Sequence, residues 1–445
     1  MITRERARAT LKSMGRALRH RNYRLFFLGQ GTSLIGTWIT RVATSWLVYR
    51  LTGSALLLGT VSFAGQIPTF LLAPFAGVIV DRVDRHRVLV VTQFLAMIQS
   101  ALLAVLALTH VIAVWHVLVL QIFQGLINAF DTPARQSFVI QMVETREDLA
   151  NAIALNSSMM NGARLVGPSI AGVLIALFGE GWCFGLDALS YLAVLASLFA
   201  MKLEKRVVEK AKAKFVADLG AGFRYVAGFE PLRAILLLLA VVSFTGMPYT
   251  VLMPVFARVI LGGGPHTLGL LMGAVGVGAI TGVLWLAART GVDGLEKVVV
   301  RGGAVFGLGL VAFSYSKSLW LSLPLLALVG GGMMMQMAAS NTLLQTLADE
   351  KMRGRVMSFY TMAFFGMVPF GSLAAGWVGD HWGAPIAVRL GGVVTIVAIA
   401  LFWKQLPNLQ RLIRPIYVRL GIIPEVAEGL RQAAEILPPS EKPGT

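Results

Sequence analysis

An all-α membrane protein, with twelve transmembrane helices in two pseudo-symmetric six-helix bundles, is the fold this chain predicts. Three observations predict it. Hydrophobic residues make up 56% of the 445 residues and charged residues only 14%, at a mean hydropathy of +0.73, which is more apolar surface than a soluble core of this length can bury. The apolar residues are gathered into twelve stretches, each long enough to cross a bilayer as a helix. The basic residues concentrate in alternate linkers, the asymmetry that positive-inside insertion produces.

Taken in order, the first six spans are expected at 24–49, 55–79, 88–109, 114–140, 151–177 and 181–202. The second six are expected at 232–257, 267–288, 298–315, 319–347, 356–379 and 383–402. The chain then divides into a basic tail (1–23), an N-terminal bundle (24–202), a linker region (203–231), a C-terminal bundle (232–402) and a second tail (403–445). An even number of spans puts both tails on one side. Arg4, Arg6, Arg8, Lys12, Arg16, Arg19, Arg21 and Arg24 precede Phe26, and Arg82, Arg85 and Arg87 follow the second span. Lys202, Lys205, Arg206, Lys210, Lys212, Lys214, Arg224 and Arg233 crowd the centre, so both termini are expected to be cytoplasmic.

In the linker, Phe215, Leu219, Phe223 and Val226 recur at helical spacing among polar neighbours, which predicts a helix along the cytoplasmic membrane face. A faint repeat supports duplication: Gly167-Pro-Ser-Ile-Ala-Gly172 in span five returns as Gly371-Ser-Leu-Ala-Ala-Gly376 in span eleven. Pro407, Pro415, Pro424, Pro438 and Pro439 are expected to keep the C-terminal tail from forming long helices.

The net charge of +17 fits a face toward anionic lipid, and no zinc-finger spacing or aromatic-interleaved basic patch points to nucleic acid. The single cysteine, Cys183, allows no intrachain disulfide and no cysteine cluster, and reads as a small buried hydrophobe. The six histidines form no ligand pattern, so neither a metal nor a cofactor is expected. Gly262-Gly-Gly264 lacks the Lys-Ser/Thr ending of a phosphate loop, and nothing suggests an enzyme. No cleavable signal peptide is expected, the first span serving as insertion signal.

Between spans two and three stands Gly77-Val-Ile-Val-Asp81-Arg82-Val-Asp84-Arg85-His86-Arg87. This resembles the signature loop of the major facilitator superfamily. The resemblance implies a glycine at the membrane edge that lets helices approach, an aspartate that caps a helix of the other bundle, and basic residues that hold a cytoplasmic gate. Gly77, Asp81, Arg82, Arg85 and Arg87 are the gate candidates, with Arg353 and Arg355 of the later linker. Positive-inside anchoring alone would account for Arg85 and Arg87. Asp84 stands where the superfamily usually has a second glycine. Arg21-Asn-Tyr-Arg-Leu-Phe-Phe27, Leu51-Thr-Gly-Ser-Ala55, Asp131-Thr-Pro-Ala-Arg135-Gln-Ser-Phe138, Asn151-Ala-Ile-Ala-Leu-Asn-Ser157 and Arg353-Gly-Arg-Val-Met-Ser358 resemble the bacterial branch containing enterobactin exporters and macrolide efflux proteins. That likeness covers residues 20 to 400 and implies a proton-coupled exporter of small molecules in the bacterial cytoplasmic membrane. Drug antiporters of the superfamily often carry an Arg-x-x-Gln-Gly pattern in span four; here Gln121-Ile-Phe-Gln124-Gly125 replaces its arginine.

Ionisable residues inside apolar spans cost on the order of 2.5 to 3.5 kcal/mol each on insertion scales unless paired or wetted. Asp187 and Asp131 are therefore the proton-coupling candidates, and Arg41, Arg164, Gln121 and Gln124 the cavity candidates. Arg41 and Asp187 fall at similar heights and are expected to face each other. Asp131 and Arg135, four apart, also fit a local ion pair. Gly167-Pro168 fits either an outer-gate element or a packing kink, and Met333, Met334, Met335, Gln336 and Met337 fit helix packing better than a ligand surface. Trp38, Trp46, Phe63, Phe244 and Phe364 are candidates for an apolar pocket.

The expected partners are a small organic substrate, protons and membrane lipids, with the chain acting as a functional monomer. The expected function is proton-coupled efflux of an amphipathic compound, drug or siderophore-like, by alternating access. A lipid or nutrient transporter, and a non-transporting receptor or scaffold, are the alternatives.

Overall fold

The computed structural model describes residues 16–80, 82–143, 146–202, 215–289, 291–420 and 422. Asp81 of the gate motif and Glu144 lie outside them. The spanning helices are α1 (Arg21–Thr52), α2 (Ala55–Val80), α3 (Arg85–Leu108), α4 (Val114–Phe138), α5 (Arg146–Phe178) and α6 (Glu180–Phe199). A linker helix (Phe215–Gly228) leads to the second set. This comprises α7 (Glu230–Ile260), α8 (Pro265–Ala287), α9 (Leu295–Ser314), α10 (Leu319–Leu347), α11 (Arg353–Trp382) and α12 (Ala384–Arg419). Eleven of these are long and apolar enough to cross a membrane. The other, α1, is longer than most but carries Arg41 and many Ser, Thr and Gly residues; it is enclosed by α5 and α6.

The helices end where local chemistry stops them. At the end of α1, Gly53 turns left-handed (φ 65°) and returns its N–H to the Tyr49 carbonyl. Gly179 (φ 83°) and Gly383 (φ 93°) make the tight turns into α6 and α12. Asp84, in the position of the second superfamily glycine, is the extended N-cap of α3 and accepts from the His86 N–H at 3.0 Å. The bundle thus has a basic end, which carries Arg21, Arg85 and Arg353, and a far end, which carries Gly53, Gly179 and Gly383.

Two six-helix halves result, joined along α2–α11 and α5–α8. The sequence repeat explains how. A Cβ on Gly167 would lie 2.5 Å from Trp38 of α1, and one on Gly371 would collide with the Phe244 carbonyl of α7. One turn on, a Cβ on Gly172 would meet Gly269 of α8 at 2.9 Å, and one on Gly376 would meet Gly59 of α2 at 3.0 Å. Each repeat thus packs its helix against its own half through the first glycine and against the opposite half through the last. Only a missing side chain permits such backbone approach.

Two expectations need correction. The C-terminal region does not lose its helix after residue 402: α12 runs on through Pro407 and Pro415 to Arg419. Side-chain anchors offset the hydrogen bonds the prolines delete: Asn408 donates to Glu230 (3.1 Å), Gln410 to Glu296 (2.8 Å), and Arg419 pairs with Asp349 (3.6 Å). Gly77 is not a point of close approach in this conformation, since a Cβ there would meet nothing within 4 Å among the described residues. The linker helix forms where its periodicity predicts, and it rests on α11: Gly222 leaves room for Arg355 and Phe359.

Candidate transport site

Arg41 and Arg164 lie at similar depth, about 30 Å and 27 Å along their helices from the basic end at 1.5 Å per residue. Both gather on one ring: the Arg41 guanidinium carbon is 4.6 Å from the centroid of Trp38, and that of Arg164 is 5.8 Å from it. Arg41 is solvent-exposed and Arg164 half-buried. Arg164 also approaches the Met334 sulfur of α10 at 3.9 Å. From α7, Tyr249 lies within range of the Arg164 charge; it is 2% exposed, and its hydroxyl has no hydrogen-bond partner among the described residues.

Four helices therefore converge on Arg164. Ser157, Asn161 and Arg164 follow one another along a single face of α5, and on α10 Gln345 donates to Asn341. Such a polar, accessible stripe belongs to a water-filled cleft, not to a lipid-facing surface.

The buried carboxylates sit apart from this cluster, inside the first half. Asp131 is 1% exposed; it pairs with Arg135 and accepts from Thr92 (2.9 Å) and Gln93 (2.7 Å) of α3. The local pair expected from sequence is present, with two donors that the sequence did not reveal. Asp187, also 1% exposed, accepts from Ser100 of α3 at 2.8 Å and approaches its own Ser190 at 3.5 Å. No cation pairs with it among the described residues. It is tucked against Gly36 of α1, where a Cβ would lie 2.6 Å from its Oδ1. The expected pairing with Arg41 is not formed. Gln121 packs against Gly65 of α2, and Gln124 bonds to Asn128 one turn on.

At the basic end, Arg85 donates to the Ser137 carbonyl of α4 at 3.4 Å, and Arg87 stays near Asp84 (3.6 Å) and largely exposed. Arg82 is exposed; Arg353 bonds the Gln345 carbonyl (3.1 Å) and Arg355 the Met352 sulfur (3.2 Å). Tyr225 of the linker helix donates to Asp349 at 3.0 Å, and burial raises this phenol above its ordinary value, so it remains a donor.

The far end holds a latch that sequence reading missed. Asp380, at the end of α11, accepts from the Ser54 hydroxyl (3.0 Å) and the Ala55 N–H (2.8 Å) at the start of α2. A carboxylate of one half thereby caps a helix N-terminus of the other, where the helix dipole favours negative charge. Ser54 and Asp380 each look ordinary in sequence; their meeting across the seam carries no local signal. Gly167 and Pro168 lie within an unbroken α5, the glycine seating Trp38.

This arrangement of halves recurs in solved transporters. A bacterial homologue of the human lysosomal transporter Spinster, in an inward-facing, occupied conformation, superposes with a TM-score of 0.70 at 14% identity, covering 88% of this chain and 98% of that one. In sequence, the chain is 25% identical over 380 residues to the staphyloferrin A transporter of Staphylococcus aureus, covering 85% of this chain and 94% of that protein. It is 23% identical over 408 residues to macrolide efflux protein A of Streptococcus pyogenes, covering 88% and 99%. The model of the transmembrane secretion effector family matches residues 13–414, so the chain belongs to that family of the major facilitator superfamily and is a multi-pass membrane transporter, not an enzyme.

Proposed function

We propose that the protein exports a small amphipathic organic compound from the bacterial cytoplasm by alternating access, driven by protons entering in exchange. The basic end faces the cytoplasm, both termini lie inside, and the molecule works as a monomer in lipid. Efflux is the activity in the name of its streptococcal relative, and the basic linkers favour this orientation. The cargo enters the cleft below Trp38. Asp81, Arg82, Arg85, Arg87, Arg353 and Arg355 hold the cytoplasmic gate when it closes, and Asp380 holds the outer one.

Asp187 carries the coupling reading. A buried carboxylate served by hydroxyls and no cation is costly to keep charged, and taking up a proton removes that cost. It also lies against Gly36 on the helix that bears Trp38 and Arg41, so a change in its charge is felt at the contact between α1 and α6. Asp131, already neutralised by Arg135, is the reserve carrier. The test is flux of a broad amphipathic panel in proteoliposomes under an imposed pH gradient. The parent protein should respond to the gradient; Asp187→Asn should lose that response while still exchanging cargo, and Asp131→Asn should keep it. Parent flux indifferent to the gradient would end proton coupling, and a gradient response retained in Asp187→Asn would end that residue's part in it.

A further inference from the structure

Two cations meet in the cleft without an anion. Among the described residues no carboxylate comes within ion-pair distance of Arg41 or Arg164. Asp131 is taken by Arg135, Asp187 by serine hydroxyls, and Glu180 by Arg50 at 2.7 Å. Among the described residues the one hydrogen-bond contact of Arg164 is the Met334 sulfur, a weak acceptor. The two guanidinium groups lie close enough to oppose each other's charge, and both use the π face of a single Trp38. Arginine stays charged under any physiological condition, so the cluster cannot relieve itself by losing a proton. Water can serve it while the cleft is open. Once the gate closes over cargo and water leaves, the uncompensated pair would be expensive unless the cargo supplies the missing charge.

We propose that the cargo is an organic oxyanion whose carboxylate or phosphate group is received between Arg41 and Arg164, with its apolar body against Trp38, Tyr249 and Met334. Each guanidinium is a planar fork that matches the paired oxygens of either group. Tyr249, buried on α7 within range of the Arg164 charge, keeps a hydroxyl with no hydrogen-bond partner among the described residues and is a further donor for the anion. The three apolar-faced side chains fit the rest of an amphipathic molecule. This deepens the exporter reading and rests on it.

The test is equilibrium binding to the purified full-length protein, with no gradient or flux involved. Four probes share one fluorescent body and differ in the head group: pyrenebutyrate, its methyl ester, a pyrenyl alkyl phosphate and a pyrenyl alkylammonium. Fluorescence anisotropy reads their affinities. At least one of the two anions should bind about tenfold or more tightly than both the ester and the ammonium, as charge-assisted forks imply; the carboxylate-to-phosphate ratio then identifies the head group. Arg41→Gln and Arg164→Gln should each erase the anion's advantage, bringing its affinity down to that of the ester. Arg41→Lys and Arg164→Lys, which keep the charge, should restore part of it and guard against misfolded variants.

Equal affinity for all four probes, preference for the ammonium, or an anion advantage that survives both glutamine variants would overturn the proposal. So would failure of both anions to bind at about 1 mM, the weak end of specific affinity. Anion binding that passes this test beside flux that ignores every gradient would overturn the coupled-export reading alone.

Discussion

Tyr249 concentrates the cleft's chemistry in one group. Its ring is buried and edge-on to Phe306 at 6.2 Å, yet its hydroxyl is left without a partner. A buried unsatisfied hydroxyl costs about 1–3 kcal/mol, a cost of the sort kept where a site must be ready for a ligand. Tyr249→Phe should therefore leave the melting temperature unchanged or raised while weakening cargo affinity several-fold. Thermal unfolding beside a binding titration checks both halves; a variant that loses stability would mean the hydroxyl has a structural partner. The sequence offered little warning of this residue. Tyr249 stands in an apolar run between prolines, and only the packing of α7 turns it toward Arg164.

Among the elements, the start of α2 depends on a residue more than three hundred positions away. Losing a side-chain cap costs about 1 kcal/mol, and here the lost cap also unties the two halves at the far end. Asp380→Ala should shift the molecule toward opening at that end. Spin labels on T109C and S318C, at the far ends of α3 and α10, should report a larger share of long distances in the variant, and an unchanged distribution would remove the latch assignment. The helices themselves were legible: each expected span overlaps a helix, and all but the last match its ends to within about five residues, because lipid demands length and apolarity that composition displays directly. Depth was legible only roughly from rise per residue, and direction was not. Gly36 faces Asp187, and Arg41, five residues on, lies about 7.5 Å further along α1 and about 140° around it; the expected pairing failed on both counts. The Asp131–Arg135 pair was readable because both ends share one helix face, whereas the Ser100–Asp187 bond joins helices whose adjacency no local pattern announces.

At the scale of the whole molecule, the C-terminal segment is a strap, not an appendage. Beyond residue 402 it buries Leu406, Leu409, Ile413 and Tyr417 and ties α12 to α7, to α9 and, through Asp349, to the loop before α11. Each buried apolar side chain is worth about 1.5–3 kcal/mol. A chain ended after Phe402 should melt several degrees lower and reach the membrane in smaller amount, by thermal unfolding and membrane abundance; identical values for both would dismiss the strap. The same segment reaches Asp349, which also holds Tyr225 of the linker helix, so the second half is bound on its basic face from the C-terminal side, the first from the N-terminal side through Arg16 and His20 at Asp148.

The halves also differ in a second respect. Helix α1 runs unbroken for 32 residues, whereas its counterpart α7 passes after Thr245 through a 3₁₀ turn (Met247–Thr250), a single α turn and a π turn (Phe256–Ile260), with Pro248 and Pro254 withholding donors. A duplicated plan has thus been built from unequal materials. One side is a strut that transmits force along its length. The other is a spring, jointed by short turns on either side of Leu252, so strain in the proposed alternation collects in α7.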